Sequence, residues 1–88
     1  MYNKKYKLEK IEQHNKQNPI YEDMEGCTCY LAYLRPNERG WFLYIQDDWF
    51  DPTPHRVHTS VIQYVAYNGD TVTVRTTNTT FTFRLEED

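Results

Sequence analysis

An 88-residue chain has room for one domain and one modest core, burying roughly 60–65% of its unfolded surface. A formal net charge of −3 argues against a dedicated duplex-binding protein, whose affinity comes mainly from neutralising phosphates, and it is too mild to mark a DNA mimic. No apolar run reaches membrane-spanning length and no signal-peptide core follows Met1, so the expected location is cytoplasmic, away from membrane.

Residues 1–19 are polar, rich in Lys, Asn, Gln and Glu. Leu8 and Ile11 stand three apart, which a helix would place on one face. That spacing predicts a short helix over about 7–16, ended by Pro19 and its disfavoured predecessor Asn18. Such a helix is marginal alone and must dock on the rest of the fold. Tyr21 to Gly26 is acidic and reads as irregular.

Cys27 to Leu34 alternates as a strand does. Cys27 and Cys29 share one strand face, too close along an extended chain for an unstrained disulfide. Their spacing matches no zinc motif. They read as two small, buried or half-buried thiols in the reduced state. Arg35 to Gly40 is a turn punctuated by Pro36 and Gly40. Trp41 to Gln46 (WFLYIQ) is a second strand, apolar on both faces. Asp47 to His55 (DDWFDPTPH) is a loop, since its prolines and aspartates exclude a central strand.

Val57 to Leu85 is a three-stranded meander of β-branched and aromatic residues. Asn68-Gly69 is well suited to a tight hairpin, and a second turn falls near Thr77-Asn78-Thr79. Asn78-Thr79-Thr80 matches a glycosylation sequon but, without a secretion signal, marks only this turn. The expected fold is mainly β (α+β): a small five-stranded antiparallel SH3-like barrel or curled sheet with one short N-terminal helix. Residues 1–88 form a single domain, with a helical head over 1–19 and a β body over 27–85.

Period-two alternation assigns faces. Phe81, Phe83, Val72, Val74 and Leu43 are the expected core. Val57, Val61 and Val65 form one row, and Ile62, Tyr64 and Ala66 another that packs under the helix. A bulge would exchange faces along part of any strand.

Residues with chemical potential are few. His55 and His58 with Asp47, Asp48 and Asp51 form the one cluster of ligand-type side chains. The histidines are separated by an odd number of residues, so one strand would turn them to opposite faces. With no phosphate loop, nucleophile elbow or HExxH motif, no enzyme, catalytic residue, metal or cofactor is expected. In the pair Trp49-Phe50, flanked by Asp47, Asp48 and Asp51, at least one ring reads as a plug on one barrel end, and the other is compatible with an interface anchor beside carboxylates. Tyr30, Phe42 and Tyr44 form a third candidate, as rings on one sheet face. With guanidiniums such as Arg56 and Arg75, they would stack on bases. A docked helix or a second copy of the chain would equally cover them.

The segment from Arg39 to Leu85, RGWFLY followed by HRVHTS and GDTVTVRTTNTTFTF, resembles short uncharacterised proteins of bacterial phages and mobile elements. The resemblance implies a mobile-element accessory protein and no reaction. By analogy with small proteins of that sort, it implies binding, including inhibition of host defence. Two functions therefore compete: a non-enzymatic binder of a protein partner, through Asp47–Asp51 and surface rings, and a binder of a nucleotide or single-stranded nucleic acid, through sheet aromatics and Arg. A homo-oligomer is compatible with either.

Overall fold

The structure is a computed structural model that describes residues 4–15, 19–22, 24–45 and 54–86. Its elements are β1 (Tyr6–Gln13), α1 (Pro19–Glu22), β2 (Thr28–Tyr33), β3 (Arg39–Ile45), β4 (His55–Asn68), β5 (Thr71–Thr76) and β6 (Thr79–Leu85). The six strands run antiparallel, in chain order, around a closed barrel. Closure removes the edge strands that would otherwise offer unpaired N–H and C=O groups.

The expected helix over 7–16 is instead β1, so the barrel has six strands, and the only helical residues described are the single turn α1. The reason lies in a bulge. β1 pairs with β6 through Leu8↔Phe83 and then Lys10↔Thr82, leaving Glu9 as an extra residue. One extra residue turns a two-residue strand repeat into a three-residue gap. Leu8 is therefore fully buried while Ile11, three positions on, packs against the same core. Tyr6–Gln13 is thus part of the β body rather than of a helical head: β1 closes the barrel. Beyond it, the His14 N–H donates to Asn78 O at 2.8 Å and the Asn15 side-chain amide donates to Thr77 O at 3.0 Å. These bonds fasten the end of β1 to the β5–β6 turn.

Two hairpins show why their sequences turn where they do. Between β2 and β3, Glu38 N–H bonds Arg35 O at 3.4 Å, and Asn37 has φ 70°. Pro second and a positive-φ residue third are the demands of a type II turn. Between β4 and β5, Asn68 pairs with Thr71, so the central residues are Gly69 and Asp70, one place later than the Asn68-Gly69 expected. Gly69 has φ 61° and Asp70 does not have positive φ. That is the pattern of a II′ turn, with glycine first, rather than one with positive φ at both places.

β4 serves two neighbours. Its first half pairs with β3 and its second with β5, and each pairing carries a register shift, near Thr59–Ser60 and near Gln63. The expected rows break at these bulges. Thr59 and Ile62 are buried, and Val57 and Val65 pack on the core. Val61, Tyr64 and Ala66 are exposed, and no described helix covers them. At the first bulge, Gly40 N–H donates to Thr59 Oγ1 at 3.0 Å, and that hydroxyl donates to Ser60 O at 2.8 Å. The threonine hydroxyl takes the place of a ladder carbonyl where the register slips.

The core is built from Leu8, Met24, Cys29, Phe42, Ile62, Val72, Val74, Phe81 and Phe83. Phe42 lies edge-on to Phe81 and Phe83 at 5.4 and 5.2 Å, a favoured aromatic geometry. Four of the five expected core residues are there. Leu43 is not: the pairing Leu31↔Phe42 turns Phe42 inward and Leu43 outward. Met24 and Tyr21 close the barrel end that holds the N-terminus of β6, Tyr21 meeting Phe81 edge-on at 5.5 Å.

Candidate functional site

The register that sends Phe42 inward lays a row of other side chains outside. Tyr30 is opposite Leu43, and Leu43 opposite Arg56. Thr28 is opposite Ile45, and Trp41 opposite His58. Tyr30, Trp41, Leu43 and Ile45 are all half-buried on the outer side of β2 and β3. Arg56 reaches back across β3, its guanidinium 4.4 Å above the Trp41 ring. A cation held on an indole face in this way is partly desolvated and fixed in direction. The result is an apolar patch with an ordered positive charge at its centre.

This geometry rearranges the residues picked from the sequence. Tyr30, Phe42 and Tyr44 do not form one exposed platform. Phe42 is 0% exposed, and Tyr30 is in register with Leu43 while Tyr44 is in register with Cys29, which turns their side chains to opposite faces. Tyr44 instead packs against the core and meets the His55 ring at 5.3 Å. Arg56 belongs to the outer patch. Arg75 does not: on β5 it pairs with Tyr64 in the second half of β4 and with Thr80 on β6, and its Nε donates to Gln63 Oε1 at 3.1 Å. Asp47, Asp48, Trp49, Phe50 and Asp51 lie outside the described residues. The segment containing them joins Ile45 to His55, the ends of the two strands that carry the patch.

Neither cysteine is in a disulfide, and both are buried. Burial, with Cys27 as neighbour, pushes the Cys29 thiol up to about 12. At neutral pH it is a protonated, inert filler, since the thiolate is the nucleophile. Among the described residues, no three His, Cys, Asp or Glu side chains converge as metal ligands would. No described helix is long and apolar enough to cross a membrane.

A second concave feature was not foreseen from sequence. A cleft of about 380 Å³ opens at the other barrel end, lined by Lys4, Tyr6, Leu31, Ala32, Tyr33, Leu34, Arg35 and Tyr67. Its residues come from three separated stretches of chain, and the Leu8–Ile11 spacing suggests a helix where β1 runs, so no local pattern assembles it. Comparison with family models, with curated proteins and with solved structures yields no match.

Proposed function

We propose that this chain is a small non-enzymatic binding protein that engages a protein partner through the outer face of β2, β3 and the first half of β4. The observation that supports this most is Arg56 stacked on Trp41, with Tyr30, Leu43 and Ile45 around it. Trp, Tyr and Arg are the residue types that dominate interface energetics, and they do so where neighbouring side chains exclude water. The acidic segment Asp47–Asp51 joins the same two strands. Its carboxylates would speed encounter with a basic partner surface and fix orientation more than they would add affinity. The resemblance of residues 39–85 to phage and mobile-element proteins supports a partner among bacterial host factors. A host-defence protein fits that reading, and the cytoplasm is where it would be met.

The test is affinity capture from bacterial lysate with three baits: wild type, Leu43→Lys/Arg56→Glu, and Asp47→Asn/Asp48→Asn/Asp51→Asn. Leu43 and Arg56 point outward, so the double variant should melt close to wild type. A partner retained by wild type should be lost from the face variant. It should persist on the loop variant, with slower, salt-insensitive association. The same set of proteins on wild-type and face-variant baits would reject this face as the interface.

A further inference from the structure

We propose that the cleft between β1 and β2 binds a small aromatic anion of the nucleoside monophosphate class. The cleft exists because these two strands hardly pair. Tyr6↔Cys29 and Lys7↔Thr28 are their ladder partners, extended by Leu8 N–H to Cys27 O at 2.9 Å and Gly26 N–H to Leu8 O at 2.6 Å. Towards the barrel mouth they part, and β2 follows β3 alone. An extra residue, Ala32, interrupts the β2–β3 register between Leu31 and Tyr33. The wall therefore splits where Lys4 and Tyr6 face Leu31 to Arg35, and Tyr67 from β4 completes the rim.

The lining has two kinds of group, and each matches one part of such a ligand. Lys4 and Arg35 supply positive charge, and among the described residues no carboxylate lines the cleft. In a chain of net charge −3 that segregation is selective for an anion. The Arg35 guanidinium is already placed 5.1 Å from the centre of the Tyr33 ring. The Tyr33 hydroxyl donates to Glu38 Oε2 at 2.8 Å, which anchors the ring. A fixed guanidinium is a good phosphate partner because its fork of N–H donors matches two phosphate oxygens.

The other group is aromatic. Tyr6, Tyr33 and Tyr67 surround the cleft over Leu31 and Leu34. Tyr67 is 73% exposed, the most exposed large hydrophobic side chain described, so its ring face is available for stacking. Tyr6 and Tyr67 are near enough for their charges to interact, and burial with that interaction raises the Tyr6 phenol above its ordinary value. The Tyr6 phenol therefore stays a neutral donor at physiological pH. Stacking on tyrosine tolerates any base. A volume of 380 Å³ is within the range of small-molecule sites. It suits a single nucleotide, and the negative chain disfavours a long polyanion.

The cleft adjoins the protein-binding face, since Tyr33 pairs with Trp41, so its test uses residues outside that face, Arg35 and Tyr67. The ¹⁵N-labelled full chain is titrated with AMP, GMP, CMP and UMP, and separately with adenosine and inorganic phosphate. Amide shifts should concentrate at residues 4–6, 31–35 and 67 for the nucleotides, with adenosine and phosphate alone at least about tenfold weaker. Arg35→Gln and Tyr67→Ala, both at exposed positions, should each weaken nucleotide binding about tenfold. Arg75→Gln, on the far wall, should not change it. Four nucleotides that shift none of these amides would overturn the proposal. So would equal affinity in the Arg35 and Tyr67 variants, or inorganic phosphate binding as tightly as the nucleotides.

Discussion

Replacing Gly40 with alanine tests how closely the β2–β3 hairpin and β4 approach one another at the first bulge. A Cβ there would collide with the backbone carbonyl oxygen of Tyr33. It would also stand 2.8 Å from Ile62 Cδ1 and 3.2 Å from Leu34 Cδ2. The two side-chain tips can give by rotamer changes. The carbonyl cannot, because Tyr33 is held in the ladder opposite Trp41. Overpacking costs typically 1–3 kcal/mol, and a backbone obstacle belongs at the upper end, about 3 kcal/mol. For a domain of this length that lowers Tm by about 12–24 °C. Gly69→Ala is the control, because its obstacle differs: nothing lies within 4 Å of its Cβ, but φ is +61°. Its cost is conformational, about 1–2 kcal/mol, and Gly69→Asn should recover most of it because asparagine tolerates that region. Thermal melts followed by circular dichroism would rank them Gly40→Ala well below Gly69→Ala, with Gly69→Asn near wild type. A Gly40→Ala melt within about 4 °C of wild type would refute the close approach and the bulge that rests on it.

Other expectations concern the core, the last turn and pH. Phe42→Ala should cost about 3–5 kcal/mol, close to the whole stability of a small domain, whereas Leu43→Ala should cost a fraction of that; urea unfolding reads both, and equal losses would contradict the register. Thr76 is 1% exposed; its Oγ1 accepts the N–H groups of Thr79 and Asn78 at 3.0 and 3.3 Å and donates to Thr79 O at 3.0 Å. Thr76→Val should therefore cost about 1–3 kcal/mol by stranding those groups, with Thr76→Ser retaining most of the stability in the same assay. Cys29 stays protonated in the fold to about pH 12, while the unfolded chain ionises from pH 9.0 upward. Deprotonation thus favours unfolding: the contribution is complete below pH 9.0 and fades as pH rises towards 12. The slope is about 1.4 kcal/mol per pH unit. The partly buried phenols of Tyr6 and Tyr21 act in the same direction above pH 10.0. Cys29→Ala should flatten the pH 9–10 limb, and native Cys29 should resist alkylation that labels it in urea.

What could be read from sequence depended on whether each strand kept its period. β5 and β6 run without a bulge against each other, and their alternation correctly placed Val72, Val74, Phe81 and Phe83 inside. β1 breaks its period at Glu9, and the resulting Leu8–Ile11 spacing imitates a helix. β3 is apolar on both faces, so alternation alone could not choose between Phe42 and Leu43; the partner register chose. That one choice decided the functional reading as well. It withdrew Phe42 from the aromatic platform and brought Leu43, Trp41 and Arg56 together outside. Met24, a lone apolar residue in an acidic stretch, had no periodic context to mark it as core. The cleft residues are distant in sequence and meet only when β1 is a strand.

Both proposed surfaces rest on β1 closing the barrel. β1 forms one wall of the cleft, and its Leu8 fills the core beneath the β2–β3–β4 face. The direct measurement is solution NMR of residues 6–13. The account predicts extended carbon chemical shifts from Tyr6 to Gln13, with the shift pattern interrupted at Glu9. It also predicts cross-strand NOEs linking Leu8 to Phe83 and Ile11 to Phe81, and slow amide exchange at Leu8. Helical shifts over 7–16, with Leu8 and Ile11 in contact with each other and no NOE to β6, would contradict it.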